Sequence, residues 1–224
     1  MKLLLVNGNT TQAITDRVVA EATRCAAPGT TITGVTARFG VSIVSTEAEN
    51  EIAGHAVLDA LAGHVADHDA AILAISFDTA LLGAQQIAAI PVIGMTEASL
   101  LMACLLGRRF GLISFGQSSR SMYLYLVQRA GLRQRMTDLE TIDLASSSTY
   151  LLEGRQDAAV IDASGRLIAA GADTIVVAGA AVAGIAHRVR AQLTVPLLDG
   201  IACAVGQAET LYGLGYASAP PLRR

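Results

Sequence analysis

The sequence predicts an α/β protein made of two similar half-domains. Each is a parallel sheet flanked by helices, the two are related by a pseudo-two-fold axis, and the active site is expected in the cleft between them. Three observations carry this. Short apolar runs alternate with longer helical segments along the whole chain, the signature of parallel strands joined by right-handed crossovers. Ala70–Ile75 and Thr174–Val177 show no polar alternation, as expected of strands covered on both faces. The order of segments also repeats. Run, helix, Pro91-Val92-Ile93-Gly94, helix in the first half matches run, helix, Val195-Pro196-Leu197-Leu198-Asp199-Gly200, helix in the second.

Leu3–Val6 reads as the first strand, and Thr10 or Thr11 can cap a helix from about Gln12 to Cys25. Pro28-Gly29 turns the chain into a strand over Thr31–Thr36. A polar stretch from Arg38 to Glu49 precedes a helix from about Ile52 to Val65. After Ala70–Ile75 come a helix near Leu82–Ala89, a strand at Pro91–Gly94 and a helix over Thr96–Leu106. The second half restarts with a strand at Phe110–Ser114 and a helix from Ser119 to Ala130. A short strand is expected within Arg133–Ile142, then a mostly helical stretch from Thr149 to Gly171. Thr174–Val177, a helix from Gly184 to Gln192, a strand at Val195–Leu198 and a helix over Ile201–Gly213 complete the pattern.

Composition bounds the function. The chain is 52% hydrophobic, 16% charged and only 4% aromatic, so its core is built from Ala, Val, Leu and Ile. A net charge of −3 and a pI near 5.8 argue against nucleic acid as a partner. Arg223-Arg224 reads as a solvated tail. Apolar stretches are broken before ~18 residues, so no membrane span is expected. Met1-Lys2 leads straight into the first strand rather than a signal-peptide core, which points to the cytoplasm. Cys25, Cys104 and Cys203 have no metal-binding spacing and read as small buried hydrophobes. His64 and His68 have a spacing that can ligate a metal, but no carboxylate joins them, so they and His55 read as a solvated helix face. His187 reads as a surface helix position. No metal and no cofactor are expected.

Ligands of open α/β sheets bind outside the carboxyl ends of the strands, and five segments supply chemistry there. Asn7-Gly8-Asn9-Thr10-Thr11 offers two amides, two hydroxyls and a helix N-terminus, fit for a carboxylate or polarised carbonyl or, alternatively, an ordinary Asn-Gly turn. Ser76-Phe77-Asp78-Thr79 closes a strand. A serine alone is a poor proton-transfer group, and Asp78 serves as its base only if the turn brings it close. The competing reading is a hydroxyl turn and Asx-type cap. In Gly94-Met95-Thr96-Glu97-Ala98, Thr96 can cap the helix or line the site, and Glu97 suits the first turn. Ser114-Phe115-Gly116-Gln117-Ser118-Ser119-Arg120 forms an anion or carbonyl cradle or a helix cap. Ala178-Gly179-Ala180-Ala181 has no proton-transferring side chain, but can admit a substrate group or expose N–H donors.

The chain resembles the hydantoin racemase branch of the aspartate/glutamate racemase superfamily. The resemblance rests on Asn7-Gly8-Asn9-Thr10, Arg38-Phe39-Gly40 before Val41-Ser42-Ile43, Pro91-Val92-Ile93-Gly94 with Glu97-Ala98, and Val195-Pro196-Leu197-Leu198-Asp199-Gly200. In that family a cysteine at each of two strand ends moves the proton beside a carbonyl, without metal or organic cofactor. Here those places hold Ser76 and Gly179, the first with a one-residue gap after Phe77; without the gap, Asp78 occupies nearby space. The resemblance implies catalytic roles for Ser76 and Asp78, and substrate contacts from Asn9, Thr10, Thr79, Thr96, Ser118, Ser119, Gly179 and Ala180. Asp199-Gly200 and Glu209 are expected to support the fold. Residues 1–96 with 207–224 are expected to form the first half-domain and 97–206 the second. The implied activity is cofactor-independent carbonyl or enolate activation of a small cyclic amide, ureide or carboxylate, but not two-cysteine racemisation. A hydrolase or lyase using Ser76, Asp78 and water, or a non-catalytic binder, are the alternatives. A small-molecule substrate and a homo-oligomer are the expected partners.

Overall fold

A computed structural model describes residues 1–143, 152 and 154–216. The first half contains β1 (Lys2–Asn7), α1 (Gln12–Cys25), β2 (Thr31–Thr36), α2 (Glu47–His64), β3 (Ala70–Leu73), α3 (Leu81–Ile87), β4 (Val92–Gly94) and α4 (Met95–Leu106). The second contains β5 (Phe110–Phe115), α5 (Arg120–Arg129), β6 (Met136–Ile142), α6 (Asp157–Ala169), β7 (Thr174–Val177), α7 (Ile185–Val189), β8 (Leu197–Asp199) and α8 (Gly200–Gly213). The sheets run β2-β1-β3-β4 and β6-β5-β7-β8, so the strand order of one repeats the other, and every pairing is parallel. This is the architecture expected from the alternating runs.

The central strands show why those runs lack alternation. In β1, Leu3 and Leu5 face Ile14, Val18 and Ala22 of α1, whereas Leu4 and Val6 face Val57 and Leu61 of α2. Successive side chains point to opposite faces, and a helix covers each face, so every position must be apolar.

Helices cross between the halves. α8 follows the last strand of the second sheet, yet packs on β3 and α1 of the first. α4 follows the last strand of the first sheet and packs on β7 and α8. Phe77 of the first half enters the core formed by Leu100, Phe110, Met122 and Tyr123. The carboxyl ends of both sheets are thereby held against a common cleft. No helix among the described residues is long and apolar enough to cross a membrane.

Some boundaries differ from those expected, for identifiable reasons. α2 begins at Glu47 rather than Ile52 because Thr46 and Glu49 form a capping box: Glu49 N donates to Thr46 Oγ1 at 3.3 Å and Thr46 N to Glu49 Oε2 at 2.9 Å. α6 begins at Asp157, after a turn containing Gly154 at φ +75°; the expected helical start at Thr149 and the tail Arg223-Arg224 lie outside the described residues. The helix expected over Gly184–Gln192 divides into α7 and a 3₁₀ turn at Arg190–Gln192.

Candidate active site

The site begins where β1 ends. Asn7 is wholly buried and its Nδ2 donates to Asn9 Oδ1 at 3.1 Å and Thr15 Oγ1 at 3.0 Å. Thr11 N also donates to Asn9 Oδ1, at 2.9 Å. With its oxygen committed to two donors, the Asn9 amide is oriented: its NH₂ is left for the cleft. Gly8 is needed here because a Cβ would come within 2.4 Å of Val57 Cγ2 and 2.7 Å of Ile75 Cδ1.

Neither Thr10 nor Thr11 caps α1 through its side chain, contrary to the expectation for this turn. Thr10 Oγ1 donates to Val41 O at 3.4 Å and Thr11 Oγ1 to Ser42 O at 2.7 Å. These bonds pull the segment after Arg38 over the end of β1 and bring Ile43, Val44 and Ser45 into the cleft wall.

Ser76 and Ala180 meet across the seam. Ala180 N donates to Ser76 Oγ at 3.1 Å, which leaves the Ser76 hydroxyl proton available to a ligand. From the second half, Ser119 Oγ donates to Phe115 O and Gly116 O at 2.9 and 2.8 Å, so it can only accept from a ligand. Ser118 is exposed at the cleft mouth. Gly179 precedes Ala180 at φ +121°, a conformation that any L side chain would adopt only under strain.

The cleft measures about 180 Å³ and is lined by Asn9, Ser76, Ser118, Ser119 and Ala180 among the expected residues. Sites for drug-sized ligands are larger, about 300–1,000 Å³, so this one suits a small molecule. Its apolar wall is formed by Ile14, Ile43, Val44, Phe77, Phe115 and Tyr123, and the Phe77 and Tyr123 rings pack 4.9 Å apart. Among the described residues, none that lines it is charged. Sequence reasoning missed Ser45, Phe115 and Tyr123. Val41-Ser42-Ile43 did stand out as a motif, the one signal that could have placed its neighbours here.

Of the other five expected residues, Gly179 precedes Ala180 without itself lining the cleft, and four lie elsewhere. Asp78 does not stand beside Ser76 as its base. Its carboxylate accepts from Thr96 N at 2.9 Å and Glu97 N at 2.7 Å, capping α4 from outside the helix. The reason is backbone conformation: Asp78 adopts φ +49° and turns its side chain under Gly94. Burial pushes the Asp78 carboxyl up to about 7, against the opposing pull of those two N–H donors. Thr79 donates to Asn50 Oδ1 at 2.6 Å and, with Asp78, lines a separate groove of about 350 Å³ that shares Phe77 with the cleft. Thr96 neither caps α4 nor lines the cleft; the N-cap is Gly94, and Thr96 Oγ1 donates to Ser76 O at 2.6 Å. Thr10 faces away, bonded to Val41.

The second half carries the converse arrangement. Asp199, at the N-cap of α8, accepts from Ile201 N at 2.9 Å and from Gly184 N at 2.7 Å. Burial first, and the Glu21 carboxylate second, push Asp199 up to about 6. The thiols stand apart from this chemistry. Cys203 is buried, Cys25 and Cys104 only partly so, and burial raises Cys25 and Cys203 to about 12. His64 Nδ1 and His68 Nδ1 lie 2.8 and 2.7 Å from the carbonyls of Ala60 and His64.

A family model for Asp/Glu/hydantoin racemases matches residues 3–208. A hydantoin racemase of Paenarthrobacter aurescens is 25% identical over 219 residues, spanning 96% of this chain and 93% of that protein. A hydantoin racemase of Rhizobium meliloti is 30% identical over 159 residues, 67% of this chain and 63% of that protein. The structure of allantoin racemase from Klebsiella pneumoniae superimposes with a TM-score of 0.94 at 29% identity, covering 100% of this chain and 95% of that one. A crystal structure of arylmalonate decarboxylase shares the fold, with a TM-score of 0.70 at 15% identity over 100% of this chain and 98% of that one.

Proposed function

The chain belongs to the Asp/Glu/hydantoin racemase family, in its hydantoin racemase-like branch, and on that premise we propose that it activates a carbonyl of a small, uncharged cyclic amide or ureide. The reaction uses no cofactor and no pair of cysteines. One observation carries this reading: the cleft offers amide and hydroxyl groups but no charged side chain among the described residues. A carboxylate substrate would leave its charge unpaired in such a site, whereas a neutral imide or urea group finds donors and acceptors at hydrogen-bond reach.

Asn9 NH₂ and the Ser76 hydroxyl donate to the carbonyl that gains charge, and Ser118 with the Ser119 oxygen holds the remaining polar groups. Loss of one such donor typically costs about 10²–10³ in kcat. Ser76 is assigned as a donor, not a base. The single N–H from Ala180 would stabilise its alkoxide by roughly 1.5–3 kcal/mol, about one to two pK units, which leaves the hydroxyl far from neutrality. With no basic side chain among the described lining residues, water takes the proton from the α-carbon, the electron pair passes into the enolate oxygen held by the Asn9 and Ser76 donors, and a proton from water returns to the carbon. A homo-oligomer belongs to the same proposal: Leu101, Leu105 and Leu106 on α4 and Tyr212 on α8 expose apolar surface that a second copy would cover.

Incubation in D₂O with hydantoins, allantoin and substituted malonates tests this. Deuterium uptake at the α-carbon of a hydantoin or allantoin is the expected result. Ring opening or CO₂ release without uptake would replace the reading with a hydrolase or lyase. No turnover together with ligand-induced thermal stabilisation would make the protein a binder.

A further inference from the structure

We propose that Asp78 is a positioning residue for Ser76, acting through the N-terminus of α4 and the Thr96 hydroxyl. The inference rests on the reading of Ser76 as the ligand-facing donor. It follows from a closed ring of contacts. Ser76 leads through Phe77 to Asp78; the Asp78 carboxylate takes both Thr96 N and Glu97 N; and Thr96 Oγ1 returns to the carbonyl of Ser76 at 2.6 Å. The Ser76 peptide is thus fixed on its carbonyl side, while its hydroxyl is met by Ala180 N from the other half. Two soft torsions per residue would otherwise let this loop wander.

Local sequence choices serve the ring. Asp78 (φ +49°) and Ala80 (φ +59°) are the described non-glycine residues with positive φ, a conformation that persists only where surroundings enforce it. Gly94 keeps the space: a Cβ there would lie 2.4 Å from Asp78 Cγ and 2.6–2.7 Å from its oxygens. The carboxylate is 2% exposed, and the charges around it are Glu97 on α4, Arg129 on α5, and Glu47 and Glu51 on α2 at the adjoining groove. An apolar side chain would fill this space without desolvating a carboxylate. What the carboxylate adds is a two-point grip on α4. Asp199 grips its loop at Gly184 N, beyond Gly179 and Ala180, and its carboxylate makes no hydrogen bond to a cleft residue.

Amide hydrogen exchange on the intact protein, read residue by residue by NMR, tests the ring without any substrate. The Ala180 amide reports the position of Ser76 Oγ directly, and Ser76→Ala sets the rate with that bond gone. Thr96→Val and Asp78→Asn are each expected to speed Ala180 exchange about five- to tenfold, the loss of roughly one hydrogen bond. The double variant is expected to go no further than the faster single, since both act through one contact. Leu61→Ala, a cavity in the core on the far side of the first sheet, is expected to leave Ala180 exchange slow relative to its global stability. An unchanged Ala180 amide in Thr96→Val overturns the proposal, as do multiplicative effects in the double variant. Should Asp78→Asn fail to fold, Asp78→Glu, which moves the carboxylate off Thr96 N and Glu97 N, takes its place beside Thr96→Val, and an unchanged Ala180 amide in it overturns the proposal. Absence of turnover in D₂O would leave these rates untouched, so failure of the two readings can be told apart.

Discussion

The backbone N–H of Ala180 donates to the side-chain oxygen of Ser76 at 3.1 Å, joining the two half-domains at the point where their strand ends meet. A single hydrogen bond so spans the seam between the two halves. It makes the meeting point asymmetric, with a side-chain hydroxyl from the first half against a backbone N–H from the second.

Ser76→Ala is expected to cost turnover on any substrate found in D₂O about 10²-fold or more, by loss of a donor to the developing charge. It also strands the Ala180 N–H in a buried position, at about 1–3 kcal/mol of stability. Initial rates and denaturant unfolding on the same preparation check both.

Replacing the two strand-end residues by cysteine is not expected to install a two-thiol racemase. At φ +121° a side chain on residue 179 is strained, so Gly179→Cys lowers stability by about 1–3 kcal/mol. The Ser76→Cys, Gly179→Cys double variant is expected to unfold at lower temperature than Ser76→Cys alone and to show no racemase gain by polarimetry.

Asn9→Asp keeps the oxygen that receives Thr11 N but turns the donor facing the cleft into an acceptor and adds a charge. The fold is expected to hold while affinity for a neutral cyclic amide falls at least tenfold, about 1.4 kcal/mol. Calorimetric titration with the ligand that wild type binds measures this.

Stability is expected to fall as pH rises from about 4 to about 7. Asp78, raised to about 7, and Asp199, raised to about 6, stay protonated in the folded protein over a range where the unfolded chain has released its protons. Between those limits the folded state binds more protons, so raising pH favours unfolding until both groups are charged. Asp78→Asn and Asp199→Asn are each expected to flatten part of the slope, the first up to pH 7 and the second up to pH 6. Thermal unfolding across pH 4–8 gives the answer.

Much of this architecture was legible in the sequence because burial on both sides leaves a plain mark. Leu3 to Val6 and Ala70 to Leu73 are apolar at every position since helices cover both faces. The start of α2 was also written in the chain, as the Thr46 and Glu49 spacing. The orientation of Asp78 was not. Two residues from Ser76, it points elsewhere because of a left-handed torsion that composition does not announce in a non-glycine residue. Thr96 showed the same limit: a hydroxyl at a helix start reads as a cap, yet this one bonds a carbonyl twenty positions back in a separate loop, at Ser76. Ser45 reaches the cleft only because Thr10 and Thr11 tether its segment, a contact between stretches that carry no shared periodicity.

The crossing of α4 and α8 has a consequence for the integrity of the chain. Each sheet is covered in part by the helix that follows the other sheet's last strand: β3 by Ile201, Ala204 and Ala208, and β7 by α4. A polypeptide cut in the linker between Leu106 and Phe110 would yield two fragments that repeat one another in strand order and yet could not stand alone. The protein is a repeat whose copies have lost their independence. Only the pair, folded together, encloses a cleft.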